Sequence, residues 1–152
     1  MSWSGWFVFA LLCIASPPCA ATPPAPQLAA RAWVLMDAAS GDVVAAHAGN
    51  ARLPPASLTK LMTAHLAAQA IRAGRLRETE LASVSARAAS QSGSNMGVAA
   101  GGRVAVSNLM RGIIVLSGND ASVALAEHLA GSEARFARLM NREARRLGLA
   151  DT

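Results

Sequence analysis

A serine and a lysine stand three residues apart where a helix is predicted to begin. Ser57 and Lys60 follow Pro54 and Pro55, which favour an extended approach and cannot continue inside a helix. From Leu58 onward the apolar residues recur at helical spacing. Because side chains three residues apart share one helix face, the hydroxyl and the amine can meet.

A hydroxyl beside an amine is a pair suited to acyl transfer through serine. A nucleophilic serine needs an adjacent base, and a desolvated lysine can become neutral whereas arginine stays charged. The chain has 14 lysine and arginine residues, and Lys60 is the only lysine. The helix start also offers backbone N–H groups to developing negative charge. The alternative interpretation makes Ser57 a helix N-cap and Lys60 an ordinary solvated side chain.

A second polar segment, Ser117-Gly118-Asn119, interrupts two apolar helical segments. A turn between two apolar helices places its side chains in a cleft or on the surface. The alternative interpretation is helix capping, in which Ser117 ends one helix and Asp120 caps the next. The two roles can coexist.

The elements that must position these residues are predicted from apolar periodicity. Residues 32–37 and 43–47 are expected to form a β-hairpin around a turn at 38–42, and since both strands are apolar on both faces, helices are expected to cover them. Residues 96–106 contain a Gly-Gly turn and are predicted as a short hairpin. The polar segment before it, residues 90–95, either borders a site or is solvated.

The helical pattern recurs four times. The predicted helices cover residues 57–72, 108–116 after a Ser107 cap, 121–130, and a last segment from Ser132 to Gly148. His65 falls on the apolar face of the first helix and is interpreted as a packed core histidine, and His47 is interpreted as structural. The last helix carries a basic stripe, interpreted as a solvated face, at Arg135, Arg138, Arg142 and Arg145.

The amino-acid composition excludes some classes of protein. Hydrophobic residues make up 53% of the chain and charged residues 15%, which is too apolar for a disordered chain. The net charge of +5 does not indicate nucleic-acid binding, because no basic cluster is interleaved with aromatic residues and tyrosine is absent. Attraction to an anionic membrane or cell-wall surface is the simpler interpretation of the charge.

The first residues are predicted to direct export. Residues 1–21 have the pattern of a signal peptide, with a short apolar run and small residues suited to cleavage after Ala21. An uncleaved anchor is the alternative. Both cysteines, Cys13 and Cys19, lie in this segment, so the cleaved chain would have none. Residues 22–30 then form a Pro/Ala linker.

Together the motifs resemble a known family over residues 31–152. They are Pro54-Pro55-Ala56-Ser57-Leu58-Thr59-Lys60-Leu61-Met62-Thr63, Ser92-Gly93-Ser94, Ser117-Gly118-Asn119-Asp120-Ala121, Ala124-Leu125-Ala126-Glu127 and Met140-Asn141. In this order they resemble the serine D-alanyl-D-alanine carboxypeptidases, the low-molecular-mass penicillin-binding proteins of peptidase family S11. The resemblance implies an α/β (α+β) fold of the β-lactamase/transpeptidase type, in which an antiparallel sheet lies between helical layers.

The resemblance also implies roles for the site residues. Ser57 would be the acylated nucleophile, Lys60 its general base, Ser117 a proton relay and Asn119 the residue that holds the substrate and helps to position Lys60. The substrate would be a peptidoglycan pentapeptide ending in D-Ala-D-Ala, and β-lactams would acylate the same serine. No cofactor or metal is implied.

The family's third motif, Lys-Thr-Gly, is absent, since Lys60 is the only lysine. Residues 31–152 are therefore expected to be the N-terminal portion of a catalytic domain, incomplete in this chain, with membrane association only through sequence missing here. We expect the 152-residue chain alone not to be a competent carboxypeptidase. The alternatives are an inactive remnant that binds peptidoglycan or β-lactam, a D,D-endopeptidase, or a serine β-lactamase relative.

Overall fold

The computed structural model describes residues 24–150, and the predicted signal peptide with both cysteines lies outside them. The chain divides into two compact units, Met1–Ala51 and Arg52–Thr152.

The described part of the first unit is the predicted hairpin. Strand β1 (Trp33–Met36) pairs antiparallel with β2 (Val43–His47), and a register shift between Leu35 and Met36 marks a bulge. The Asp37 carboxylate closes the turn by accepting the backbone N–H groups of the second and third residues after it, at 3.0 and 2.8 Å. This is a local side-chain turn of the kind that aspartate favours.

The expectation that helices cover this hairpin is wrong for the described residues. Val34, Leu35, Met36, Val43 and Val44 are each about half exposed or more. The described part of this unit, residues 24–51, contains no helix, so nothing within it buries the two apolar faces.

The second unit contains a 3-10 turn, five helices and two short strands in its described part. In chain order they are the 3-10 turn Ala56–Leu58, α1 (Thr59–Arg72), β3 (Leu81–Ser83), α2 (Ala86–Ala89), β4 (Arg103–Ala105), α3 (Val106–Leu116), α4 (Asn119–Ala130) and α5 (Glu133–Arg146). Within residues 24–150, no helix combines the length and the continuous apolar composition that spanning a lipid bilayer requires.

Helix α4 is the centre of the core. Its residues Ala121, Ala124 and Leu125 are completely buried, as is Leu109 of α3. Small residues let the two helices approach closely: a Cβ added to Gly112 of α3 would lie 3.3 Å from the Ala121 Cβ. Packing of this kind supplies the main stabilisation of a small domain and holds its helix ends in place.

The sheet of this unit differs from the prediction. Residues 96–106 do not form a hairpin of their own, because β4 pairs antiparallel with β3. Beyond the strands, the Val84 N–H donates to the Gly102 carbonyl at 2.9 Å and the Gly101 N–H donates to Val84 at 2.8 Å. Three-residue strands are too short to show an alternating pattern, so their pairing could not be inferred from periodicity.

The predicted Ser107 cap is also wrong. Helix α3 begins at Val106 and has no side-chain cap. The N–H groups of Val106 and Ser107 donate instead to the backbone carbonyls of Glu80 and Glu78, each at 2.9 Å. Tertiary backbone partners therefore satisfy N–H groups that a cap would otherwise satisfy.

Helix α5 follows its predicted pattern more closely. The Ser132 hydroxyl caps it by accepting the Arg135 N–H at 3.2 Å, and Phe136 is buried. The basic stripe is exposed along its length, as expected of a solvated face, at Arg135, Arg138, Arg142 and Arg145.

Candidate active site

Ser57 lies in a strained turn that leads into α1. The residue before it, Ala56, has a φ of +48°, a left-handed backbone conformation that an alanine rarely adopts. Neither the 3-10 turn nor α1 has a side-chain cap, so Ser57 does not serve as the N-cap that was the alternative interpretation. The serine side chain is exposed.

Lys60 connects the two polar segments identified in the sequence. Its Nζ donates to the Ser57 Oγ at 3.3 Å and to the Ser117 Oγ at 3.1 Å. Lys60 is half-buried and held between two hydroxyls, unlike a freely solvated lysine. The structure therefore brings together two residues one helical turn apart and a third that lies 57 positions further along the chain.

Ser117 ends α3 in a left-handed conformation, with φ +54° and ψ +38°. Among residues 24–150, the non-glycine residues with positive φ are Ala48, Ala56 and Ser117. Ala56 directly precedes Ser57, and Ser57 and Ser117 are the two hydrogen-bond partners of the Lys60 amine. Backbone strain of this kind concentrates at functional sites. The strain could not be predicted from the residue types, because the strained residues are alanine and serine.

Asn119 is the first residue of α4 and lines a cavity with Ser57 and Lys60. Its side-chain Nδ2 donates to the Ser92 carbonyl at 2.6 Å, and its backbone N–H donates to the Ser94 carbonyl at 2.7 Å. The amide nitrogen is thus held by the polar loop and not by a contact to Lys60. This loop borders the site, which was one of the two alternatives for it.

Asp120 is a site neighbour whose contacts the sequence interpretation missed. It does not cap α4, whose N-cap position is Gly118. Its buried carboxylate accepts the backbone N–H groups of Met96, Gly97, Val98 and Ala121, at distances from 2.8 to 3.2 Å. Burial raises the pKa of Asp120, but these four hydrogen bonds outweigh it and hold the pKa below its usual value.

Two cavities meet at Ser57 and Lys60. One has a volume of about 510 Å³ and includes Asn119 in its wall, and the other has a volume of about 420 Å³ and includes Ser117. Both volumes fall within the range of small-molecule sites. The second is walled largely by apolar side chains, from Pro55, Leu58, Leu61, Ala64, Ile113 and Ile114. A lysine amine between two serine hydroxyls, open to such cavities, has the groups that acyl transfer through serine requires.

A separate polar cluster joins α1 to α5 and corrects the interpretation of His65. This histidine is 35% exposed and its Nε2 lies 2.7 Å from Glu143, which also accepts from Gln69 at 2.7 Å. Hydrogen bonds from Arg146 and then His65 lower the pKa of Glu143 to about 2. His65 is therefore a hydrogen-bonded side chain and not a packed apolar one. Among residues 24–150, no group of three His, Cys, Asp or Glu side chains could hold a metal ion.

The sequence matches a known protein family over most of its length. The family model for the D-alanyl-D-alanine carboxypeptidases, peptidase S11, matches residues 19–152. The D-alanyl-D-alanine carboxypeptidase DacC of Escherichia coli is 43% identical over 134 residues, covering 84% of this chain and 34% of its own length. DacF of Bacillus subtilis is 40% identical over 123 residues, covering 81% and 32%.

Solved structures agree with this fold. The crystal structure of the D-alanyl-D-alanine carboxypeptidase DacD from Francisella tularensis matches with a TM-score of 0.77 and 43% identity, over 91% of this chain and 33% of that one. Penicillin-binding protein 5 from Haemophilus influenzae matches with a TM-score of 0.76 and 37% identity, over 86% and 39%. The predicted fold class is confirmed, and the chain spans about a third of the length of the curated relatives it matches.

Proposed function

This chain belongs to the D-alanyl-D-alanine carboxypeptidase family, peptidase S11, and we propose on that premise that it carries the acylation centre of a serine-type D-Ala-D-Ala carboxypeptidase. The enzyme would remove the terminal D-alanine from the pentapeptide of peptidoglycan. The observation that carries the proposal is the position of the Lys60 Nζ, 3.3 Å from the Ser57 Oγ and 3.1 Å from the Ser117 Oγ.

In the first step Lys60, in its neutral form, takes the proton of the Ser57 hydroxyl. The Ser57 Oγ then attacks the carbonyl carbon of the penultimate D-alanine. A positioned base of this kind contributes about 100- to 10,000-fold to the rate. The backbone N–H of Ser57 lies where a helix begins and would stabilise the oxyanion that forms.

In the second step the tetrahedral intermediate collapses and the peptide C–N bond breaks. The proton held by Lys60 passes through the Ser117 hydroxyl to the nitrogen of the departing D-alanine. Asn119, in the wall of the same cavity, would hold the acyl chain in place. Water then hydrolyses the ester on Ser57 and regenerates the free hydroxyl. A β-lactam would acylate the same serine, with its ring amide in place of the peptide bond.

The test is a pair of assays on the protein expressed from its complete gene. Fluorescent penicillin reports acylation, and release of free D-alanine from a D-Ala-D-Ala peptide separates a carboxypeptidase from a β-lactamase relative. Ser57→Ala is expected to abolish both signals. Ser107→Ala is the matched control, because Ser107 lines neither cavity at Ser57 and is expected to leave both signals intact. Labelling that persists in Ser57→Ala would show that the nucleophile is misassigned.

We also propose that the protein is exported to the periplasm and cleaved after Ala21. The support is the short apolar run followed by Cys19-Ala20-Ala21. Peptide mass spectrometry of the mature protein from an exporting host should find an amino terminus at Thr22. A mature product that still begins at Met1 would contradict the proposal.

A further inference from the structure

The carboxylate of Asp120 attaches the first turn of α4 to residues 92–98, named here the 92–98 loop. Its oxygens accept the backbone N–H groups of three consecutive loop residues, Met96 at 3.0 and 3.1 Å, Gly97 at 2.9 Å and Val98 at 3.2 Å. Only 2% of Asp120 is exposed. Hydrogen bonds to an ionised carboxylate are among the stronger ones, and low exposure strengthens them further. The carboxylate therefore fixes this end of the loop.

The other end of the 92–98 loop holds Asn119, the residue next to Asp120. The Asn119 Nδ2 donates to the Ser92 carbonyl at 2.6 Å and its backbone N–H donates to Ser94 at 2.7 Å. Between them, Gly93 has a φ of +81°, and a Cβ there would lie 3.1 Å from the Asn119 Nδ2. The orientation of the Asn119 carboxamide thus depends on where the loop lies.

We propose that Asp120 is a positioning residue for acyl transfer, which acts by fixing the 92–98 loop so that Asn119 keeps the orientation needed at the cavity it shares with Ser57 and Lys60. Asp120 lines neither cavity at Ser57, so it acts through Asn119 and not by touching substrate. The inference rests on the proposed function, because it assigns Asp120 a part in acylation of Ser57.

The near-isosteric substitution Asp120→Asn isolates the carboxylate. It retains one acceptor oxygen but turns an NH₂ group, which cannot accept, toward the loop N–H groups. A matched control exists in the hairpin: Asp37 also accepts two backbone N–H groups, from Ala39 at 3.0 Å and Ser40 at 2.8 Å. Asp37→Asn makes the same chemical change at the same kind of contact in the other unit.

The experiment uses the protein expressed from its complete gene and follows labelling by fluorescent penicillin over a range of concentrations. This separates the binding constant, the rate constant of acylation and the fraction of protein that reacts. Asp120→Asn is expected to lower the rate constant of the reacting fraction by about 10- to 100-fold, the scale expected when a reacting arrangement is misplaced by about 1 Å. Asp37→Asn is expected to leave that rate constant unchanged.

A purely structural role would show a different pattern. It would reduce the reacting fraction and the thermal midpoint while the rate constant stayed at the wild-type value, and that result would overturn the proposal. Hydrogen exchange at the amides of Met96, Gly97 and Val98 supplies a second measurement, and faster exchange in Asp120→Asn is expected.

Two further outcomes are distinguishable. If Asp120→Asn does not fold, Asp120→Glu, which keeps the charge and displaces it by one methylene, takes its place; failure of both to fold would overturn the proposal, since Asp120 would then determine folding. Absence of labelling in the wild-type protein would contradict the proposed function itself. The amide exchange of the loop tests the Asp120 contacts whether or not Ser57 is acylated.

Discussion

The hairpin of the first unit, formed by residues 33–47, and the helical unit of residues 52–150 use aspartate in the same way over very different chain distances. Asp37 accepts N–H groups two and three residues away, and this closes a turn. Asp120 accepts N–H groups 22 to 24 residues away, and this joins a loop to a helix. The first arrangement is visible in the sequence as a turn, whereas the second exists only in the folded unit.

The two units also differ in burial. Val44 of the hairpin is 65% exposed, whereas Leu109 and Leu125 of the helical unit are completely buried. All four candidate site residues, Ser57, Lys60, Ser117 and Asn119, lie in the helical unit. Residues distant in sequence can be held within hydrogen-bonding distance where packing fixes the elements that carry them. We therefore expect substitutions in the helical unit to affect chemistry and stability far more than equivalent ones in the hairpin.

The largest effect on the rate of acylation is expected from a substitution of Lys60. Lys60→Arg keeps the positive charge but cannot accept the Ser57 proton, so acylation by fluorescent penicillin should fall by about 100- to 10,000-fold. The reverse exchange in the first unit, Arg31→Lys, should leave the rate unchanged. If Lys60→Arg labels at nearly the wild-type rate, Lys60 is only a structural charge and the assigned base is wrong.

The next largest effect is expected on the free energy of unfolding, from a substitution in the core of the helical unit. Leu125→Ala removes a completely buried side chain from α4 and should lower the free energy of unfolding by about 2–5 kcal/mol. Val44→Ala removes part of a side chain that is 65% exposed and should change it by less than about 0.5 kcal/mol. Urea unfolding followed by circular dichroism measures both. Equal losses at the two positions would mean that the hairpin is buried in solution.

The sequence predicted what depends on local periodicity. The helix that carries Ser57 and Lys60 follows from apolar spacing, and its pitch alone brings the two side chains together. The break at Ser117-Gly118-Asn119 was also found, because polar and glycine residues interrupt an apolar pattern. The proximity of Ser117 to Lys60 came from the family resemblance and not from spacing, since no local rule relates residues 57 positions apart.

Three of the missed features depend on long-range partners. Strand β3 has only three residues and is defined by its pairing with β4, about 20 residues later. His65 was expected to pack in the core, but its partner Glu143 lies 78 positions away, on α5. The contacts of Asp120 belong to the same class. Each of these partners is chosen by the packing of the helical unit, so propensity and spacing could not reveal it.

A smaller effect is expected on stability at low pH, where the carboxylate of Glu143 in the helical unit becomes protonated. Because its pKa is lowered from 4.5 to about 2 in the folded protein, the ionised carboxylate stabilises the fold above about pH 4.5. This contribution should be lost progressively as the pH falls toward 2, because the folded protein must then bind a proton at an unfavourable site. Thermal midpoints measured from pH 7 to pH 2 should fall less steeply in Glu143→Gln than in the wild type. Identical slopes would contradict the assignment.

The smallest effect compares two alanines with the same strained backbone, one in each unit. Ala48 has a φ of +47° and Ala56 a φ of +48°, and glycine adopts this conformation without the clash of a Cβ. Ala48→Gly and Ala56→Gly should each raise the free energy of unfolding by less than about 1 kcal/mol, because relief of strain is partly offset by the greater freedom of glycine in the unfolded chain. Their effects on chemistry should differ. Ala56 precedes Ser57, so added freedom there loosens the nucleophile and should slow acylation by less than about 10-fold, whereas Ala48→Gly should not change it. If both variants acylate at the wild-type rate, the strain at Ala56 is a by-product of the turn and has no part in placing the Ser57 hydroxyl.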